Sequence, residues 1–454
     1  MSIDRRTLIG GAGAAAAGVV LPSLATGAAP AAAARPNVLW IVTDDQPRQT
    51  LDYMPQTVAQ VCDPGVRFSN GYSAVPLCGP ARATLLSGLY PHNHGIHDNA
   101  TAEPFRTRHE SDTVATRMQG AGYTTALFGK YLNGYNQQST HRPPGWNRWV
   151  VSVENGSTTW NVDGTILTIT GRQDPYAVTR FLEFTRAQAN TGAPWFAFLA
   201  LSNPHDAYSP TPANAGAFNG AQWRPTALNE ADLSDKPSFM RNNPDQSLAT
   251  IDQHWEGKLE ELQDTDDQIA AVIAALDQAG QLADTIIFFI SDNGYMLGEH
   301  RLLKKEHPYE ESAAVPFAVR GPGVAPRSSP ALVSQVDLMP TTLAVAGLDP
   351  NAGRPLDGRS MLSVLASEPD AGWRQRLLIE HPLWGWSMLR EDNTVYIHRH
   401  GKSGQPEEVY DLLADPVQMR SVHASTDTAP WRAKLTAMRQ ATGAQLRALE
   451  ELPS

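Results

Sequence analysis

The residues most suited to chemistry lie in the segment Leu77–Gly88, which reads LCGPARATLLSG. Pro80 is typical of the first turn of a helix, and Gly88 of the position just after its end. Cys78 is therefore expected at the helix N-terminus, where free backbone amides favour an anion. Arg82 follows one turn later and can direct its guanidinium to the same anion. Taken alone, such a pattern more often marks a buried structural cysteine and a surface arginine.

Two acidic pairs each follow a predicted strand. Asp44–Asp45 comes directly after Val38–Thr43, and Asp292–Asn293 comes shortly after Thr285–Ile290. Ligand groups in open α/β sheets gather beyond the carboxyl ends of the strands, so both pairs can face one crevice. Three carboxylates and an amide oxygen suit Ca²⁺, or Mg²⁺ in a tighter site. Each pair by itself is more typical of a turn.

Three further side chains could bind an anion or transfer a proton. Two of them follow strand-like segments, and the third is identified by its spacing to a tyrosine. Lys130 lies within Gly129–Asn133, Lys305 stands four residues before Tyr309, and His205 follows an Asn-Pro pair. Taken singly, each lysine is more often a solvated surface residue and the histidine a structural one. Their chemistry therefore depends on whether the fold brings them together.

The elements that position these residues alternate between buried strands and helices, which is typical of an α/β fold with a parallel sheet. The clearest helix is predicted over Leu259–Ala279, before Gly280. The segment from about Ser202 to Pro244 is too long for an ordinary loop, so we expect it to form a wall of a functional site. The predicted strands are Val38–Thr43, Tyr123–Phe128, Trp195–Leu201 and Thr285–Ile290.

The pattern changes towards the C-terminus and predicts a smaller α+β subdomain. Short antiparallel strands are expected at Leu377–Glu380, Trp386–Arg390 and Thr394–His398, with a terminal helix over Trp431–Leu449. The chain is thus predicted to divide into residues 1–34, a catalytic domain over 35–365 and a C-terminal subdomain over 366–454.

The first 34 residues have the pattern of a signal peptide. A twin arginine, Arg5–Arg6, precedes a Gly/Ala-rich apolar stretch that Pro22 interrupts and that ends at Ala34. The alternative, a transmembrane helix, is disfavoured because the stretch is only mildly apolar and broken by proline. We expect export of the folded protein by the twin-arginine machinery to a periplasm, a cell wall or the medium, with no stable membrane insertion after cleavage.

Composition excludes several classes of function. The 454 residues contain 36 Lys+Arg and 47 Asp+Glu, so the formal net charge is −11. This balance argues against nucleic acid, an anionic membrane or a long polyanion as the main partner. Hydrophobic residues at 41% are ordinary for a globular enzyme, and only two cysteines, Cys62 and Cys78, are present. A disulfide scaffold is therefore excluded.

The Cys78 segment resembles the signature of the sulfatase family, Cys-x-Pro-Ser/Ala-Arg followed by Leu-x-x-Gly. The resemblance implies an alkaline-phosphatase-like fold, with a large mixed, mostly parallel sheet flanked by helices. It also implies that a formylglycine-generating enzyme oxidises Cys78 to 3-oxoalanine (formylglycine), whose hydrate supplies the nucleophilic hydroxyl. The scarcity of cysteine fits that expectation.

The same resemblance assigns roles to the other residues. It implies that His205 protonates the leaving alcohol. It implies that the sulfate oxygens are held by Arg82, Lys130 and Lys305. It implies that a divalent cation, Ca²⁺ or alternatively Mg²⁺, is bound by Asp44, Asp45, Asp292, Asn293 and the oxygen on residue 78.

One position departs from the family pattern. Many sulfatases have a histidine two residues after the first lysine, acting as a base, whereas this chain has Leu132. His94 is the candidate substitute, and a structural hydrogen bond at a helix end is the equally favoured alternative. Gly129–Asn133, Pro143–Trp149 and Asn229–Pro237 resemble the branch of N-acetylglucosamine-6-sulfatases and heparan 6-O-endosulfatases.

The predicted function is hydrolysis of a sulfate ester, either on a small sulfated sugar or on an aryl sulfate. Trp146, Trp149 and Trp160 are candidates for stacking on a sugar ring, although loop tryptophans equally often anchor packing. Alternatives are a phosphonate monoester or phosphodiester hydrolase of the same superfamily, and an inactive carbohydrate-binding relic. A plain thiol hydrolase is disfavoured because nearby carboxylates raise the pKa of the Cys78 thiol.

Overall fold

Five neighbouring parallel strands form the centre of the molecule. The computed structural model describes residues 35–138, 140–368, 372–400 and 407–451, so the predicted signal peptide lies outside the described residues. The strands are rich in β-branched and aromatic residues and are buried on both faces, as expected for a sheet covered by helices on both sides. No described helix has the length and apolar character needed to span a membrane.

The strands, in chain order, are β1 (Asn37–Thr43), β2 (Val66–Tyr72), β3 (Thr124–Lys130), β4 (Arg148–Ser152), β5 (Thr159–Val162), β6 (Thr165–Thr168), β7 (Trp195–Ala200), β8 (Thr285–Ser291), β9 (Met296–Leu297), β10 (Leu303–Lys304), β11 (Phe317–Arg320), β12 (Arg327–Ser334), β13 (Arg376–His381), β14 (Trp386–Glu391), β15 (Thr394–Arg399) and β16 (Glu408–Asp411). The helices are α1 (Pro55–Thr57), α2 (Cys78–Ser87), α3 (Pro91–His94), α4 (Glu103–Arg108), α5 (Val114–Gly120), α6 (Gln173–Gln188), α7 (Leu248–Gln278), α8 (Glu310–Ala313), α9 (Leu338–Val345), α10 (Leu362–Ala366), α11 (Ala429–Met438) and α12 (Gly443–Glu451).

The large sheet has ten strands in the order β12-β2-β11-β8-β1-β7-β3-β4-β5-β6. Its central run β8-β1-β7-β3-β4 is parallel, whereas β11 and β5–β6 pair antiparallel with their neighbours. The predicted mixed, mostly parallel sheet flanked by helices is confirmed. Because the carboxyl ends of β1, β7, β3 and β8 share one edge, the segments after them meet there.

Helix α7 is longer than predicted. It begins at Leu248, after Ser247 accepts a hydrogen bond from the Thr250 amide at 3.4 Å. The prediction of a start at Leu259 is wrong because the first three turns are held by tertiary packing, with Ile251 and Trp255 buried against the segment after β8. The preceding chain, from Leu201 to Ser247, contains no described helix or strand, and its first part, from Ser202 to Ser209, lines a cavity beyond the carboxyl end of β7.

The C-terminal part contains the predicted antiparallel sheet, in the order β13-β14-β15-β16. The single terminal helix predicted over Trp431–Leu449 is wrong: α11 and α12 are separate. Gly443 has φ +54°, and its amide donates to Asp357 Oδ1 at 2.8 Å, which breaks the helix between them. The described residues from Arg35 onward form one compact unit, and the boundary near residue 365 stays a prediction.

The C-terminal sheet packs against the segment that carries Lys305. Ile379 and Met388 share one buried cluster with Tyr72 and Tyr309. The Trp386 indole donates to the carbonyl of Glu306 at 3.0 Å. The smaller sheet thus supports one wall of the site described below.

Candidate active site

The acidic floor of the site lies at the carboxyl ends of β1 and β8. These strands are parallel neighbours in register, so Asp44–Asp45 and Asp292–Asn293 emerge side by side. The Asp292 amide donates to the Thr43 carbonyl at 3.0 Å, and the Asp45 amide donates to Asp292 Oδ1 at 3.2 Å. All four side chains are buried. The structure therefore brings together the two acidic pairs identified in the sequence.

Cys78 faces this acidic floor as the first residue of α2. Its Sγ lies 3.3 Å from Asp44 Oδ1 and 3.8 Å from Asp45 Oδ1, and the residue is 1% exposed. Burial, reinforced by Asp292 and Asp44, raises the pKa of the Cys78 thiol well above its usual range. A thiolate is therefore disfavoured at this position, which argues against a plain thiol nucleophile.

Three cations, Arg82, Lys130 and Lys305, surround Cys78, and we call them the cation cluster. Lys305 Nζ lies 2.8 Å from Cys78 Sγ and also donates to Asp45 Oδ1. Lys130 Nζ donates to Asp44 Oδ2. Arg82 donates from Nε to Asp292 Oδ2 at 2.9 Å, while its buried Nη2 has no hydrogen-bond partner in the described chain. Each cation is thus anchored on a carboxylate beside Cys78.

The carboxylates and cations hold each other in the charged form. Burial alone would raise the pKa of Asp44, but Lys130, His205 and Arg82 outweigh it and hold the pKa well below its usual range. Burial would lower the pKa of Lys305, but Asp45 raises it well above its usual range. Opposite charges at such short range favour the ionised form of both partners. The site therefore presents fixed positive charge around Cys78 at neutral pH.

His205 approaches from the loop after β7. Its Nε2 lies 3.6 Å from Asp45 Oδ2, and its Nδ1 contacts the carbonyl of Asp206. The side chain is 26% exposed, so it stands between the buried centre and the solvent. A histidine held by one ring nitrogen and open at the other is suited to transfer a proton.

His94 does not join the cluster. Its Nε2 pairs with Thr84 Oγ1 at 3.1 Å, and its Nδ1 accepts the Ile96 amide at 3.0 Å. Burial lowers the pKa of His94 well below its usual range. With both ring nitrogens engaged away from Cys78, the geometry supports the structural alternative rather than a base at this position.

The donor set fits a hard divalent cation. Ligand atoms of Asp44, Asp45, Cys78 and His205 all lie within 4.8 Å of one another. Asn293 donates from Nδ2 to Asp45 Oδ1 at 2.7 Å, and its buried Oδ1 has no partner among the described residues. An orphaned amide oxygen beside clustered carboxylates is the kind of ligand that Ca²⁺ or Mg²⁺ takes.

Two buried residues of α7 contribute to the site and were missed in the sequence. Lys258 Nζ donates to the carbonyls of Asp45 and Pro204, each at 3.0 Å, and thereby ties the acidic floor to the loop of His205. One turn later, Glu261 Oε1 accepts the Ser209 amide at 2.7 Å. The sequence signal that could have identified them is that Lys258 and Glu261 fall on the apolar face of an amphipathic helix, where charged side chains are unusual.

The mouth of the site is a cavity of about 320 Å³, which we call the mouth cavity. Lys130 and His205 line it together with Asn133 and Asn155. Of the two interpretations of the tryptophans, stacking on a sugar or anchoring the packing, the structure supports packing. All three lie in hydrophobic core clusters because their rings pack between the sheet and its helices, at Trp146, Trp149 and Trp160.

Two family profiles match the chain. The profile described as Sulfatase covers residues 36–348, and the one described as N-sulphoglucosamine sulphohydrolase, C-terminal, covers residues 298–444. Together they span the large sheet, the cluster around Cys78 and the C-terminal sheet.

Relatives and solved structures agree with these profiles. The chain is 34% identical over 374 residues to a Sulf-1 homolog of Caenorhabditis elegans, covering 76% of this chain and 52% of that protein. It is 30% identical over 377 residues to the N-acetylglucosamine-6-sulfatase of Homo sapiens, covering 76% and 67%. A structure solved in complex with its substrate D-glucosamine-2-N,6-O-disulfate shares the fold, with a TM-score of 0.76, 23% identity and coverage of 89% and 97%. The chain thus spans about half to two thirds of the length of the worm and human relatives. It belongs to the sulfatase family.

Proposed function

We propose that this protein is a sulfuric ester hydrolase that releases inorganic sulfate from a small sulfated sugar, similar to 6-sulfated N-acetylglucosamine. The observation that carries the proposal is the cation cluster beside Cys78, above two acidic pairs. Lys305 Nζ lies 2.8 Å from Cys78 Sγ, and the other two cations, Arg82 and Lys130, are anchored on the neighbouring carboxylates. Such a pocket matches a tetrahedral oxyanion that is attacked from residue 78.

The nucleophile is proposed to arise from Cys78 by oxidation to formylglycine. In the hydrated form this group supplies a hydroxyl at the position that Sγ occupies. Asp44 Oδ1, 3.3 Å from Sγ, is placed to accept a hydrogen bond from that hydroxyl. Burial and the neighbouring Asp44 raise the pKa of Asp292, so it can hold a proton close to the same centre.

The cation cluster is proposed to bind the sulfate oxygens. Arg82 has a free Nη2 for this purpose, and the lysine ammonium groups approach from β3 and from the segment after β10. Charges that are already oriented by carboxylates need little reorganisation when negative charge develops on the sulfuryl group. His205 then protonates the departing alcohol, because its Nε2 faces the centre and its side chain reaches the mouth cavity.

A divalent cation, Ca²⁺ or Mg²⁺, is proposed to be held by Asp44, Asp45, Asp292 and Asn293. When bound, it supplies positive charge that polarises the nucleophilic hydroxyl and a sulfate oxygen. The unpartnered Oδ1 of Asn293 supports this assignment.

A sugar is favoured over an aryl group as the leaving alcohol. The mouth cavity contains several asparagine side chains, and the buried Oδ1 atoms of Asn133 and Asn155 have no partner among the described residues. Acceptors of this kind suit sugar hydroxyls, and Tyr131 and Leu132 add a small apolar wall that can contact the carbon face of a ring. The acidic net charge supports a small substrate rather than a long polyanion.

Maturation and export are proposed to follow the family pattern. The twin arginine supports passage through the twin-arginine machinery to a periplasm, a cell wall or the medium. A formylglycine-generating enzyme would act on the Cys78 segment.

The first experiment is mass spectrometry of the Cys78 peptide from protein produced with a formylglycine-generating enzyme. An aldehyde in place of the thiol is expected, together with release of sulfate from 6-sulfated N-acetylglucosamine. A phenylphosphonate monoester serves as the comparison substrate. Matured protein that cleaves the phosphonate and leaves every sulfate ester intact would refute the proposal and favour the phosphonate hydrolase alternative.

A further inference from the structure

A second cavity lies beside His205 and has a volume of about 520 Å³. We call it the acidic cavity because four carboxylate side chains line it. They come from α6, from the loop after β7 and from α7: Asp174, Asp206, Glu261 and Asp264.

The acidic cavity adjoins the mouth cavity. His205 and Asn155 line both of them. If His205 protonates the leaving oxygen, as proposed above, the organic part of the substrate must begin next to it. The carbon skeleton of the alcohol can therefore extend from the mouth cavity into the acidic cavity.

The negative charge of the acidic cavity is only partly balanced. Arg172, which also lines it, is 3.1 Å from Asp264 and donates to the carbonyl of Pro210. Lys258 lies one turn before Glu261 but directs its ammonium to the carbonyls of Asp45 and Pro204. Neither cation donates a hydrogen bond to Glu261, which leaves its Oε2 for a ligand.

Glu261 carries the clearest sign of a missing donor. It is 4% exposed, Oε1 accepts the Ser209 amide, and the buried Oε2 has no hydrogen-bond partner among the residues that the structure describes. Burial raises the pKa of Glu261 to about 8 in the empty site, so binding of an ammonium at pH 7 displaces the proton of this carboxyl. A buried carboxyl oxygen without a donor is costly, so a ligand N–H at this place would be favourable.

The wall chemistry distinguishes between kinds of cation. A quaternary ammonium is held by the faces of Trp, Tyr or Phe rings, and among the described residues none of these side chains lines the acidic cavity. A primary ammonium instead needs hydrogen-bond acceptors, which the carboxylates provide.

We propose that the acidic cavity selects sulfate esters whose alcohol carries a primary ammonium, such as glucosamine 6-sulfate with a free amine, and that Glu261 accepts a hydrogen bond from that ammonium. This inference rests on the proposed sulfate ester hydrolysis. An N-sulfate in the same place would be repelled by the carboxylates, and an N-acetyl group would leave Glu261 without a charged donor.

The test compares kcat/KM of the matured protein at pH 7 for four esters: glucosamine 6-sulfate, its N-acetyl form, its N-sulfated form and choline sulfate. We expect the free amine to exceed the N-acetyl form about tenfold or more, with the N-sulfated form slowest. Glu261→Gln should bring the first two esters to within about threefold of each other. Asp277→Asn, an exposed charge on the same helix, is the matched control and should keep the preference.

A binding measurement separates this inference from the proposed function. Calorimetry with the Cys78→Ala protein, which cannot be matured, should show tighter binding of glucosamine than of N-acetylglucosamine, whatever the protein hydrolyses. Equal binding of the two sugars, equal kcat/KM for their sulfates, a preference that survives Glu261→Gln, or a preference for choline sulfate would each overturn the inference. Failure of the matured protein to hydrolyse any sulfate ester, with the binding preference intact, would instead refute the proposed function.

Discussion

The contact between Lys305 and Cys78 makes Lys305→Met the sharpest single test of the site. The substitution keeps most of the length of the side chain and removes only the ammonium, which lies 2.8 Å from Cys78 Sγ. If the cation cluster stabilises charge on the sulfuryl group, the loss should appear in kcat rather than only in KM.

The expected magnitude follows from the geometry. Lys305 is one of three anchored cations and its side chain is 13% exposed, so water can replace the ammonium only in part. Removal of one preorganised donor typically lowers kcat about 10²–10³-fold, or about 2.7–4 kcal/mol in the activation free energy. Asp45 loses its ammonium partner but keeps the Asn293 amide at 2.7 Å. We therefore expect the loss of folding stability to lie near the lower end of the range of about 3–5 kcal/mol for breaking a buried pair.

The assay is release of inorganic sulfate by matured wild-type and variant protein, with the aldehyde content of residue 78 measured in parallel. The matched control is Lys304→Met. Lys304 is adjacent, exposed and equally charged, but it does not contact Cys78 in the described structure. We expect its kcat to stay within about twofold of the wild-type value, since surface changes of this kind are usually small in effect.

Two results would refute the reasoning. One is a Lys305→Met protein that is folded, fully matured and within about tenfold of wild-type kcat. The other is an equal loss in Lys304→Met, which would mean that general surface charge, and not the contact with residue 78, is responsible.

Three further predictions concern the nucleophile, the cation and the stability of the fold. Cys78→Ala should abolish sulfate release, whereas Cys62→Ala should retain it, because Cys62 is buried in the core away from the site; activity in the first variant would contradict the assignment. Dialysis against a chelator should remove the activity of the matured protein, Ca²⁺ or Mg²⁺ should restore it, and Asn293→Ala should require more of the cation; activity that is indifferent to chelation would exclude this role. Burial raises the pKa of Glu261 to about 8, whereas the unfolded chain releases this proton near pH 4.5. The native state therefore binds one more proton than the unfolded chain between these two pH values. The contribution of Glu261 to stability is present at low pH and is lost as the pH rises to about 8. In Glu261→Gln the fall in unfolding free energy between pH 5 and pH 8.5 should be smaller than in the wild type by up to about 4 kcal/mol, measured by urea denaturation; an unchanged difference would show that Glu261 does not titrate in this range.

Much of the fold and the centre of the site could be predicted from local sequence. Short apolar runs in the sequence predict buried strands. Acidic pairs that directly follow such strands lie at the carboxyl edge of a parallel sheet. The position of Cys78 at a helix start follows from Pro80 and Gly88, whose backbone preferences are local. These inferences succeeded because strand alternation and helix capping depend on residues that are close in the chain.

Other features were decided only by tertiary contacts. The local sequence around the tryptophans of the Pro143–Trp160 region does not distinguish a ring that faces a substrate from a ring in the core. Packing against the large sheet decides this, and it buries them. His94 is near Cys78 in sequence, yet Thr84 and Ile96 turn both of its ring nitrogens away from the centre.

The sequence by itself therefore determined the parallel sheet, the helix that begins at Cys78 and the acidic pairs at one edge. The tertiary structure alone decided which side chains share that edge. Lys258 and Glu261 reach it from more than 200 residues beyond β1 and about 60 residues beyond β7, because α7 packs beneath the loop of His205. No local pattern encodes that approach, since the free energy of a buried charge depends on partners that only the folded chain brings within hydrogen-bond distance.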